Sequence, residues 1–333
     1  MFYRDREWSR SVTPAVPQWL AEVEFRVVIA LVIGLVAISF SPIFVRLSQG
    51  ELSPYATIFN RFWIASVTLG LWNGVSAIRT SKPIIPPLQQ QPNFMRTMGL
   101  LLLMGTLLST ALILWAWSLT ETSIANSSVI HSLAPMFTAF WGWLFLKRQF
   151  DRHFITGMMI AVGGTLIIGI HDMFNGGGQL QGDLVTLVST ILLGGYPLIE
   201  EHLKTQLTSQ AIVKGSSIVG MGVALPIVLM GDYQLLPSSI HGWCSVISLA
   251  VVCQIIGVGL LAYCLNRFSA EFISICHLLT PIFSSVAAWI IFGEILGLDI
   301  WVGFSCVLVG IYFTLSSHST IKKTDSYNGE SFN

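Results

Sequence analysis

His131-Ser-Leu-Ala-Pro135-Met-Phe137 and His277-Leu-Leu-Thr-Pro281-Ile-Phe283 stand 146 residues apart, and their likeness decides how this chain is read. The same offset pairs Trp117 with Tyr263, Leu133 with Leu279, Gly157 with Gly303 and Gly164 with Gly310. Upstream, an offset of 155 pairs Pro42 with Pro197; the longer Pro-rich loop at 80–97, against its counterpart at 232–242, absorbs the difference. The chain therefore reads as one unit written twice.

Around these motifs the sequence is apolar. Of its 333 residues, 53% are hydrophobic and only 10% charged, against roughly 25% charged in an average soluble protein. A membrane-spanning helix needs about 20 apolar residues. The apolar runs predict spans at 27–45, 55–78, 98–119, 124–146, 154–170, 184–203, 211–230, 243–265, 272–292 and 300–315. Short loops then leave no room for a separate soluble domain.

Charge sorts between alternate loops. With the N-terminus placed inside, the inner segments hold Arg4, Arg6, Arg10, Arg26, Arg79, Lys82, Arg96, Lys147, Arg148, Arg152, Lys204, Arg267, Lys322 and Lys323. The outer segments hold only Arg46, while Arg61 and Lys214 fall within spans. Membranes retain basic loops on the cytoplasmic side, so both termini are expected there. The arginines before the first span resemble a signal peptide, but the run is long and lacks a small-residue cleavage site. It reads as a retained first helix behind an N-terminal tail.

Five spans per half is an odd number, so the halves must insert in opposite orientations. Lys147-Arg148-Gln-Phe-Asp-Arg152 would lie inside, and its repeat mate Gly293-Glu294-Ile-Leu-Gly-Leu-Asp299 outside, with the charge reversed. The expected fold is an all-α integral membrane protein of ten transmembrane helices in two inverted five-helix repeats. The boundaries are a tail at 1–26, repeats at 27–171 and 182–316, and a C-terminal tail at 317–333. Inverted repeats around a midplane site are a design of secondary transporters, in which rocking one half alternates access.

The Pro-containing fourth span of each half, Ser53-Pro54-Tyr-Ala-Thr-Ile-Phe-Asn-Arg61 in the second span, and the run from Leu279 to Gly293-Glu294 resemble the drug/metabolite transporter superfamily, in its EamA-like branch. The resemblance covers residues 26–316 and implies export or exchange of a small metabolite without naming it. The first half departs from it, with Lys147-Arg148 where the family commonly shows Gly-Glu.

Several residues are candidates for the substrate pathway. Arg61, inside a span, costs about 2.5–3.5 kcal/mol on insertion scales. It either faces a wet cavity as an anion-facing or gating group, or snorkels to the outer surface; Asn60 beside it points elsewhere. His131 and His277 each precede a proline by four residues, and that proline strips the histidine's own carbonyl of its helical hydrogen bond. Histidine changes charge near neutral pH, which suits a coupling proton; a histidine bonded to a neighbouring helix is the plainer reading. Trp117, Tyr263 and Tyr196 are aromatic candidates, though the positions of the first two near span ends favour an interfacial belt.

Pro42 and Pro197, with Pro135 and Pro281, are hinge or kink candidates. Arg46 and Glu201 follow the first pair by four residues and are gate candidates at opposite ends. Gly157, Gly163, Gly164, Gly303 and Gly310 mark close helix contacts, with the fifth span of each half as a peripheral support. The five cysteines are expected to be buried packing residues.

No phosphate-binding loop, His-Glu-x-x-His, nucleophile elbow or Cys-x-x-Cys occurs, and no basic tract suits nucleic acid. Neither a cofactor nor a metal is expected. The expected partners are a small-molecule substrate (an amino acid or related compound), the lipid bilayer, a coupling proton and, as an open question, a second copy in a homodimer. A membrane enzyme acting on a lipid-linked substrate is the competing class. It should gather several acids or histidines at one face, whereas the polar groups here scatter singly.

Overall fold

A computed structural model describes residues 25–80, 94–122, 127, 130–175, 180–231, 234–292 and 298–317. Every described element is helical. The first half contributes α1 (Phe25–Ser39), α2 (Ser41–Ser48), α3 (Pro54–Thr80), α4 (Phe94–Glu121), α5 (Ala134–Leu146) and α6 (Arg152–Asn175). The second contributes α7 (Leu180–Leu203), α8 (Ser209–Met230) and α9 (Ile240–Ser248), which runs into a π-helix (Leu249–Val258) and α10 (Gly259–Cys264). Then come α11 (Ala270–Cys276), a 3₁₀ turn (His277–Leu279), α12 (Thr280–Phe292) and α13 (Leu298–Leu315).

Among the described residues, five stretches are long and apolar enough to cross a membrane: Phe25–Ser48, Phe94–Glu121, Leu180–Leu203, Ser209–Met230 and Ile240–Cys264. Shorter apolar helices occupy Ala134–Leu146, Arg152–Ile167, Ala270–Ser284 and Trp301–Leu315. The outward faces of these helices and of α3 carry large apolar side chains such as Trp143, Phe145, Trp301 and Trp72. In lipid such a face is solvated by acyl chains, and every backbone group must be satisfied within the helix. The protein is a multi-pass membrane protein.

The two halves interleave. α4 packs on α7, α3 on α8, α6 on α13, and α1 on the π-helix, α10 and α12. At the α6–α13 seam the repeat-mated glycines face each other crosswise. A Cβ added at Gly157 would lie 2.6 Å from the Gly310 carbonyl oxygen, and one at Gly164 2.7 Å from that of Gly303. Exchanging mates turns the first contact into the second, which is the signature of a twofold relation between halves. Gly163 has open space instead and takes no part in this seam.

The matched prolines act differently. Pro42 sits in the first turn of α2, after a helix break at Phe40; Pro197 lies inside the unbroken α7. The fourth spans do break alike. α5 begins at Ala134 with Pro135 in its first turn, and the 3₁₀ turn interrupts its counterpart just before Pro281. Of the cysteines, Cys253, Cys264 and Cys276 are buried, but Cys244 is exposed and Cys306 half-buried. A surface apolar enough for lipid accommodates a thiol as readily as the core does, which is why the expectation fails at Cys244.

Candidate functional site

Among the described residues of the first half, the charged residue buried most deeply is Arg61 on α3, only 3% exposed. Its Nε donates to Gln254 Oε1 at 2.8 Å, and its Nη1 to Ser41 Oγ at 3.2 Å. Three different helices meet here, each for a local reason. Ser41 opens α2 where Pro42 prevents α1 from continuing. Gln254 lies in the π-helix, a widened turn frequent at functional sites. Next to it, Cys253 Sγ donates to the Ala37 carbonyl at 3.2 Å, which ties the π-helix to the end of α1.

Tyr196 of α7 is buried within electrostatic reach of both Arg61 and Glu200. Among the described residues no carboxylate lies within 4.0 Å of Arg61. The Gln254 amide nitrogen, fully buried, has no hydrogen-bond acceptor. The guanidinium is held among these partners inside the bundle. Asn60 does point away, donating to the Ala56 and Leu235 carbonyls.

The histidines are half-buried, one at each helix break. His131 meets the Trp115 ring edge-on, with centroids 5.9 Å apart, and its buried Nδ1 has no hydrogen-bond partner. The backbone differs from expectation in the second half. Thr280 donates both its N–H and its hydroxyl, at 2.7 Å, to the His277 carbonyl, so that oxygen is capped. A β-hydroxyl one residue before the proline reaches back over the turn; the matching position in the first half is Ala134, which has none. Trp117 is half-buried, and Tyr263 is exposed at 38%. Neither histidine is joined to Arg61 by a hydrogen bond among the described residues.

The gate candidates part company. Arg46 is exposed, whereas Glu201 is buried in a charged clasp between the halves. Arg148 donates through Nη2 to Glu201 Oε1 and through Nη1 to Glu201 Oε2, both at 3.0 Å, and through Nη1 to Glu271 Oε2 at 2.6 Å. Glu201 Oε2 also accepts the Ala270 amide at 2.9 Å. Arg148 gets there because Lys147, in the left-handed region at φ 52°, turns the chain at the end of α5. The repeat mate of Lys147 is Gly293, the residue type that takes such a turn freely. Glu294, mate of Arg148, lies outside the described residues.

At the opposite end, Glu51 accepts from Ser238 N at 3.2 Å, Ser239 N at 3.1 Å, Ser238 Oγ at 3.3 Å and Ser239 Oγ, at the start of α9. The Ser239 hydroxyl, followed by the backbone donors, holds the Glu51 carboxyl below the usual carboxylate range. Thr122 Oγ1 donates to Asp183 at 2.6 Å at the same end, again across the halves.

Sequence reading missed Gln254, Ser41, Glu200 and Glu271, and took Arg148 only as a topological charge. Gln254 was visible as a lone amide in Leu249-Ala-Val-Val-Cys-Gln254-Ile-Ile. Nothing in the sequence couples it to Arg61, 193 positions away. No group of His, Cys, Asp and Glu among the described residues could hold a metal ion.

The EamA-like transporter family model matches the chain twice, over residues 25–170 and 180–316. An uncharacterized transporter of Archaeoglobus fulgidus is 21% identical over 282 residues, 82% of this chain and 91% of that protein. The uncharacterized transporter YetK of Bacillus subtilis is 21% identical over 216 residues, 62% of this chain and 63% of its own. A solved crystal structure superposes with a TM-score of 0.67 at 12% identity, covering 87% of this chain and 96% of the other.

Proposed function

The chain belongs to the EamA-like transporter family, and from that premise we propose that it is a secondary transporter of the cytoplasmic membrane with both termini inside. It moves a small metabolite, an amino acid or related compound, outward or in exchange, by alternating access. Ten crossings form two inverted halves, and the first four helices of each enclose the pathway. The observation that carries this reading is the buried Arg61 cluster where α2, α3 and the π-helix meet, a polar centre in an apolar bundle. Intramembrane charges mark substrate pathways because hydrocarbon tolerates them only beside a cavity or partner.

The Arg148–Glu201–Glu271 clasp supports a closed cytoplasmic end, since it joins the end of α5 to α7 and α11. His131 and His277, at the mated helix breaks, are the proposed cavity-lining pair and the place where a coupling proton would be carried. The helix breaks at Phe40, before Ala134 and at His277–Leu279 serve as hinges.

The test is solute counterflow in sealed vesicles containing the full-length protein. Saturable exchange is expected, with a pH profile altered by His131→Ala or His277→Ala. Turnover of a lipid-linked substrate without net solute movement would overturn the proposal in favour of a membrane enzyme.

A further inference from the structure

We infer that Arg61, Gln254 and Ser41 form the subsite for a carboxylate group of the transported metabolite. This deepens the transporter reading and rests on it. The guanidinium has five N–H donors, of which Nε and Nη1 each make one bond, to Gln254 and Ser41; Nη2 has no hydrogen-bond partner among the described residues. The adjoining Gln254 uses its oxygen on Arg61, which fixes the amide orientation and leaves its NH2 group without an acceptor. Two donor groups are thus open on side chains already bonded to each other.

An acceptor-only group with two oxygens completes both. A carboxylate has that shape, and its pairing with Arg is charge-assisted and geometrically specific. Charge fixes the valence. The titratable groups that act on Arg61 electrostatically are Cys253 and Tyr196, a thiol and a phenol, and no carboxylate among the described residues pairs with it. One buried positive charge is balanced by a monoanion, whereas a phosphate dianion would leave a net negative charge in the bundle.

Phenylglyoxal labelling of Arg61, followed by peptide mass spectrometry on the full-length protein in proteoliposomes, tests access and occupancy. Acetate, L-alanine, L-leucine and L-phenylalanine, at constant ionic strength, are expected to slow labelling at Arg61 several-fold. The matching primary amides and chloride should not, and inorganic phosphate should protect less than the carboxylates. No labelling, labelling indifferent to carboxylates, or stronger protection by phosphate would each overturn the inference.

Arg61→Ala risks misfolding, so Gln254→Glu is the second arm. It places a carboxylate on Arg61 at constant size and should keep the folded protein while abolishing carboxylate protection and counterflow. Protection equal to wild type would overturn the subsite. The two readings separate cleanly. Wild-type vesicles that exchange only cationic or uncharged solutes refute the subsite and leave the transporter standing. Carboxylate protection with no counterflow of any solute refutes the transporter and, with it, the assignment to a transported group.

Discussion

The two ends of the bundle join the halves by opposite means. At one end a single cation, Arg148, is held between two carboxylates whose side chains are 8% and 1% exposed. At the other, anions rest on neutral donors, Glu51 on backbone amides and hydroxyls at the start of α9 and Asp183 on the Thr122 hydroxyl, with no ion pair to either among the described residues. A half-buried charge network is costly to break from one side, because the groups left behind are desolvated and unpaired. A solvated carboxylate on neutral donors comes apart in small steps. Parting the halves at the Arg148 end would therefore require several bonds to break together, whereas the contacts at the Glu51 end can be lost one at a time.

Removing the cation tests this most severely. Arg148→Ala should cost about 3 kcal/mol, read as lost thermal or denaturant stability in detergent, and Glu271→Gln added to it should restore part. Arg46→Ala, at an exposed arginine, is the control; equal losses in both would dissolve the contrast. Gly157→Ala acts at neither end. Its Cβ would press on the Gly310 carbonyl, so a loss of about 1–3 kcal/mol from overpacking is expected, with counterflow and stability falling together. No loss would mean that α6 and α13 are not seated on each other.

Lys147→Gly sharpens the comparison in the other direction. It relieves a left-handed backbone at a residue with a Cβ and should raise stability by about 1 kcal/mol, leaving the Arg148 contacts in place. A loss would mean that the lysine side chain itself holds this end.

The smallest effect belongs to Glu51. Because its carboxyl titrates below the ordinary value of 4.5 when folded, its contribution is fully present above that value and fades as pH falls through the lowered one. An acid titration should show a loss in wild type below pH 4.5 that Glu51→Gln lacks; parallel curves would put the clip elsewhere.

Most of the helical plan was legible, because hydrocarbon imposes one rule on every residue of a span. The expected span at 184–203 is met by Leu180–Leu203, and that at 211–230 by Ser209–Met230. Helix breaks lie at both His-x-x-x-Pro motifs, where proline removes the same backbone hydrogen bond. Less was legible of the site. Arg61 stood out as a charge in an apolar run, but its partners are Ser41 and Gln254, ordinary residues at distant positions. Glu201 was singled out with Arg46 by repeat spacing, yet it pairs with Arg148, a partner chosen by the Lys147 turn and the approach of α11.

Apolarity, loop charge and repeat spacing thus determined by themselves that this chain is helical, membrane-bound and doubled. These are properties of the solvent and of local backbone chemistry, written one residue at a time. Which polar groups meet was decided only when α2, α3 and the π-helix came together across 193 positions, because contact between distant side chains depends on packing that no local rule encodes.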